Sequence, residues 1–126
     1  MKRIRFFFAL ALVAGFAATA DAVVTIRTAP GNPSPGGLSQ CLVTNGGAAP
    51  GTASLALFSF TADKPLATDS GLVLGPNQSS FGSTIVTTND IDTNPSWCEC
   101  TVPDKANFRC SYVVVSGANV TVVPAQ

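Results

Sequence analysis

The sequence predicts an all-β protein, an antiparallel sandwich of about seven to nine short strands held by disulfides. Three observations carry that prediction. Short runs rich in β-branched and aromatic residues recur at regular spacing, and clusters of Gly, Pro, Asn and Asp separate them. Beyond the first 20 residues no stretch repeats its apolar residues at helical spacing. Four cysteines, an even number, all lie in that later part, as expected for a framework closed in an oxidising compartment.

Residues 1–20 stand apart. Lys2, Arg3 and Arg5 precede an apolar run over residues 6–18, and Ala18-Thr19-Ala20 then offers a small-x-small site before Asp21, which is the layout of a secretory signal peptide. The apolar run is shorter than the roughly 18 to 20 residues that span a bilayer, and no later segment is long and apolar enough to serve. The expectation is therefore a signal peptide over 1–20, one sandwich domain over 21–126, export to the periplasm or the extracellular space, and no membrane anchor after cleavage.

Residues 22–28 are β-branched and read as a first strand, stopped by the Pro/Gly connector at residues 30–37. A second strand over 38–44 carries Cys41. After a turn cluster at 45–51, residues 54–60 alternate Ala56, Phe58 and Phe60 with Leu55, Leu57 and Ser59, so both faces are largely apolar and the strand is expected to be central. A short edge strand is expected at 66–68, further strands at 71–74 and 81–88, and a polar turn at 89–95. Residues 97–102, 108–115 and 119–123 complete the set.

The segment from Trp97 to Cys110 holds three of the cysteines. Alternation puts Cys98, Cys100 and Val102 on one face and Trp97, Glu99 and Thr101 on the other. If a loop around Pro103, Asp104 and Asn107 closes a hairpin with Val102 opposite Phe108, Cys100 falls opposite Cys110 and Cys98 opposite Tyr112. Directly paired residues, with Cβ atoms about 4.5 to 5.5 Å apart, are near disulfide span. Of the three possible pairings this register selects Cys100 with Cys110 and leaves Cys98 for Cys41.

A strand opening Cys41-Leu42-Val43-Thr44-Asn45, a corner at Leu74-Gly75-Pro76-Asn77-Gln78-Ser79 and a late cysteine strand together resemble small exported bacterial proteins with immunoglobulin-like β-sandwiches. The resemblance spans most of the chain after the leader and implies that fold and an exported address. Such proteins mostly have no assigned function, so it carries over no site. The Cys98-Glu99-Cys100 pair departs from the pattern.

Without the leader, four cations (Arg27, Lys64, Lys105, Arg109) face seven acids, a net charge of −3. Cations scattered along a mildly acidic chain give no footprint for nucleic acid. The chain has no histidine, which removes the usual general base, the usual zinc ligand and every Ser-His or Cys-His nucleophile pair. Asp90, Asp92 and Asn94 match the first three ligands of a calcium loop, but Pro95 stands where the turn needs glycine and Thr101 where it needs a bidentate glutamate. The stronger reading is a polar loop that caps its own backbone. A redox role for the two nearby cysteines is opposed by their strand setting and by Glu99, which would raise a thiol pKa. Trp97 reads either as packed on a disulfide or as an exposed aromatic.

No cofactor and no metal site are expected, and no enzyme. What the sequence supports is a binding or interaction module for an unknown protein or surface ligand, acting as a monomer. The alternative is a subunit of a pilus-like surface fibre that lends its N-terminal strand to a neighbour.

Overall fold

A computed structural model describes residues 23–33, 35–87 and 94–125. Among the described residues nine strands form two antiparallel sheets: β1 (Val24–Arg27), β2 (Leu38–Asn45), β3 (Gly51–Ser59), β4 (Ala67–Leu74), β5 (Gln78–Ser80), β6 (Val86–Thr87), β7 (Ser96–Val102), β8 (Phe108–Ser116) and β9 (Asn119–Pro124). One sheet has the order β1-β7-β3-β4, the other β5-β2-β8-β9, with β6 also pairing β2. No helix occurs among the described residues. The chain is an all-β, disulfide-linked sandwich.

Period-two alternation builds the core. Ala53, Leu55 and Leu57 of β3 point inward with Cys98, Cys100 and Val102 of β7, and they meet Cys41 and Val43 of β2 and Phe108, Cys110 and Tyr112 of β8. β3 lies between β4 and β7, the central position its two apolar faces suggested.

The expected hairpin between β7 and β8 does not form. β7 pairs β1 and β3, β8 pairs β2 and β9, and the turn between them carries the chain from one sheet to the other. Asp104 caps that turn by accepting the Asn107 amide at 2.7 Å. The inward faces are those expected, because alternation is the same whether two strands lie side by side or across a core. The disulfides change meaning accordingly. Cys41–Cys98 (Cα–Cα 5.6 Å) and Cys100–Cys110 (5.9 Å) are the selected pairs, yet each joins one sheet to the other rather than two neighbours in one sheet. Consecutive inward positions of β7 are thus tied to both central strands of the opposite sheet.

Other elements differ in extent. The strands expected at 66–68 and 71–74 are one strand, β4, which crosses a register shift opposite Ala53 to Leu55 and a glycine, Gly71, at φ 71°. Of the strand expected at 81–88 only Val86–Thr87 forms among the described residues, as β6, while Gln78–Ser80, read as part of a corner, forms β5. Buried Thr84 sits in the gap between β5 and β6, and its hydroxyl accepts the Cys41 amide at 3.2 Å, supplying the partner that a continuous ladder would have given β2. Ahead of β5, Pro76 and Asn77 (φ 57°) form a type II turn closed by the Gln78 amide on the Gly75 carbonyl at 3.2 Å.

The same turn region is pinned to β4. Asp69 accepts the Ser83 amide at 2.7 Å and the Ser83 hydroxyl at 2.9 Å, and these bonds, the amide first, hold its carboxyl below the ordinary aspartate range. A depressed folded-state pKa means stability that is present above the unfolded value and lost as pH falls through the folded one. Melting temperatures of the wild type and Asp69→Asn should therefore differ at neutral pH and converge once the pH is below both values. A gap that persists in acid would show that the carboxylate's charge contributes nothing.

Candidate functional site

Two surfaces collect side chains with chemical capacity, and both involve β1. β1 is the edge of its sheet, paired with β7 from Val24↔Val102 to Arg27↔Glu99. The Thr28 amide on the Cys98 carbonyl, 3.0 Å, sets the phase of the ladder. Val24 and Ile26 face β7 with their backbone groups, so those of Thr25 and Arg27 turn the other way.

The first surface is the outer face of the β1-β7-β3 sheet. Trp97 lies on that face, opposite to the cysteines. Phe58, its partner across β3, stacks on one side of the indole at 5.6 Å and 8°, and the Arg27 guanidinium lies 5.6 Å from the ring centroid. Because Phe58, Trp97 and Arg27 come from three successive strands, the indole is held between the other two. Phe60 meets Trp97 edge-on at 6.3 Å, and Arg27 completes the row through an ion pair with Glu99. With its flanks taken by Phe58 and Arg27, Trp97 supports the sheet rather than offering a stacking platform.

The second surface is a groove of about 510 Å³ where the sandwich opens between β1 and β8. Ile26, Phe108, Pro124 and Ala125 give it apolar lining, Lys105 and Arg109 bring positive charge, and Arg27 adds to the wall while its guanidinium stays with Glu99 and Trp97 on the outer face. β9 ends alongside: Ala125 donates to the Cys110 carbonyl at 3.0 Å and bridges Thr28. Past that point the Thr25 backbone on one wall and the Phe108 backbone on the other both turn toward the space where a further strand would run. Arg109 is fixed by its own turn, one guanidinium nitrogen donating to the carbonyls of Lys105, Ala106 and Phe108 at 3.0 to 3.1 Å. Lys105 is exposed.

Asp90 and Asp92 lie outside the described residues. Asn94 donates through its amide to the Thr61 hydroxyl at 3.2 Å. Among the described residues no group of three or more His, Cys, Asp or Glu could hold a metal, and no helix is long and apolar enough to cross a membrane. All four cysteines are bridged. The sequence reading missed the groove because its walls are far apart along the chain. Lys105 and Arg109 come beside β1 only when β8 crosses to the second sheet.

No family model matches this sequence, and no curated protein does. The chain is similar to the crystal structure of Thermotoga maritima 1070, with a TM-score of 0.49 and 9% identity, over 81% of this chain and 91% of that one. That likeness is too distant to bear on function.

Proposed function

We propose that the protein is an exported, non-catalytic binding module that takes an extended, acidic segment of a partner protein into the groove between β1 and β8. The observation that carries this reading is the placing of Lys105 and Arg109 at one opening, beside the outward backbone of β1, in a chain whose net charge beyond residue 20 is −3. An extended segment can satisfy the outward backbone of Thr25 and Phe108 as an added strand does, while its carboxylates meet the cations. The inter-sheet disulfides and the signal-peptide layout at residues 1–20 support an address outside the cytoplasm, in the periplasm or beyond it. The fibre reading has less support: β1 is already seated on β7 of its own chain.

Titration of fluorescent acidic peptides tests the proposal. A peptide of alternating glutamate and valine should bind, its lysine counterpart should not, and Lys105→Glu should weaken the complex by about tenfold or more at low salt. Equal binding of both peptides, or of neither, would refute the charge assignment. A general hydrolase screen that gave reproducible turnover would refute the non-catalytic part.

A further inference from the structure

We infer that β9 is a pairing edge through which two copies of this chain join their second sheets into one. The four-stranded sheet ends on β1, which is four residues long and carries the Arg27–Glu99 pair, and on β4, which is broken by a register shift and by Gly71. The far edge of the other sheet is divided between β5 and β6, of three and two residues. Short length, charge and irregularity are the usual defences of an edge against strand addition. β9 has none of these before Pro124, its last residue. Its six residues, Asn119 to Pro124, carry no charge and pair β8 without a break from Ser116↔Asn119 to Ser111↔Pro124.

The phase of that ladder shows what the free side presents. Ala125 donates to Cys110, so Asn119, Thr121 and Val123 share its phase and turn their backbone groups to β8. The amides of Val120 and Val122, and the carbonyls of Val120, Val122 and Pro124, therefore face outward. Their side chains are exposed on the outer face of the sheet, at 62% for Val120 and 53% for Val122. Val115 and Leu38 continue the same row across β8 and β2.

The Thr28–Ala125 bridge selects the partner's register. A twofold axis at Thr121 places Val120 opposite Val122 of the second copy and Val122 opposite its Val120, so both outward amides and both matching carbonyls are used in each chain. Shifting the axis to Val122 keeps the number of bonds but sends the Val120 amide to the Pro124 carbonyl, at the end of the edge where Ala125 is already bridged to Thr28 of its own chain. In the Thr121 register the edge is complementary to itself, as an isologous contact must be, and the exposed valines of the two copies lie side by side. One short edge buries less than the roughly 1,600 Å² of a standard interface, so the dimer is concentration-dependent. The groove lies at the far end of the β8–β9 hairpin from its turn, where Pro124 and Ala125 line it, and neither Val120 nor Val122 belongs to its lining.

Sedimentation of the purified protein over a wide concentration range, with amide exchange at its two ends, tests this. The mass should rise toward twice the monomer's, and exchange at Val120 and Val122 should slow by about tenfold or more across the range while Thr121, bonded to β8 throughout, changes little. Val122→Pro removes only an outward amide, as Pro124 already does two residues later, and should leave a folded monomer at every concentration; Val120→Lys should do the same through charge. A monomer throughout, or a dimer indifferent to both changes with Val120 and Val122 exchanging freely, overturns the inference.

Discussion

Replacing Cys41 and Cys98 together by alanine is expected to remove about 4 kcal/mol of stability, against about 3 kcal/mol for Cys100 with Cys110, on the chain-entropy model. The difference follows from separations of 57 and 10 residues. A domain this small has only about 5 to 15 kcal/mol in total, toward the lower end for its size, so loss of both bridges should leave it largely unfolded at room temperature. Chemical denaturation of each variant and of the reduced protein measures the effect. The location of the bridges sharpens it: each ties one sheet to the other, and without them only side-chain packing opposes their separation. If the reduced protein kept a cooperative transition within about 1 kcal/mol of the oxidised one, the disulfides would be ornaments on a core sufficient by itself.

Asn45→Ala is the second change with a large expected effect, about 3 kcal/mol or more. Asn45 ends β2 and is fully buried. Its side-chain amide donates to the Ala49 carbonyl at 2.9 Å and the Leu74 carbonyl at 3.1 Å, and its oxygen accepts the Gly47 amide at 2.9 Å. One side chain thus folds the 45–51 turn and fastens the end of β4 to it. Alanine leaves those backbone groups short of partners in a site with little access to water. Asn45→Asp should be worse still, since a carboxylate would face two carbonyls it cannot bond. Urea denaturation of both variants gives the ranking, and a loss below about 1 kcal/mol for alanine would mean water replaces the amide.

How much of this was legible in the sequence depends on whether the signal was local. Alternation is local, so the inward set Cys98, Cys100, Val102, Cys110 and Tyr112 and the outward placement of Trp97 were readable. The sheet to which each strand belongs is not local. Val102 and Phe108 sit at the two ends of a five-residue turn that serves a hairpin and a sheet-to-sheet crossing equally well, and both put the cysteines within bridging distance. The correct pairs therefore followed from an incorrect register. Asn45 looked like one more member of a turn cluster, since nothing about its neighbours tells a buried asparagine from an exposed one. The groove was invisible for the same reason. Ile26 is 82 residues from Phe108 in sequence, and only the crossing brings them to one opening.

Strand assignment by proton contacts therefore tests the account most directly. In the sandwich described here, β2 flanks β8 and β3 flanks β7, so close Hα–Hα contacts should join Cys41 to Tyr112 and Val43 to Cys110 in one sheet, and Leu57 to Cys98 and Leu55 to Cys100 in the other. A continuous ladder joining Cys98 to Tyr112, Cys100 to Cys110 and Val102 to Phe108 would instead place β7 and β8 side by side in one sheet, and with that result the inter-sheet bridges and the groove between β1 and β8 would both be lost.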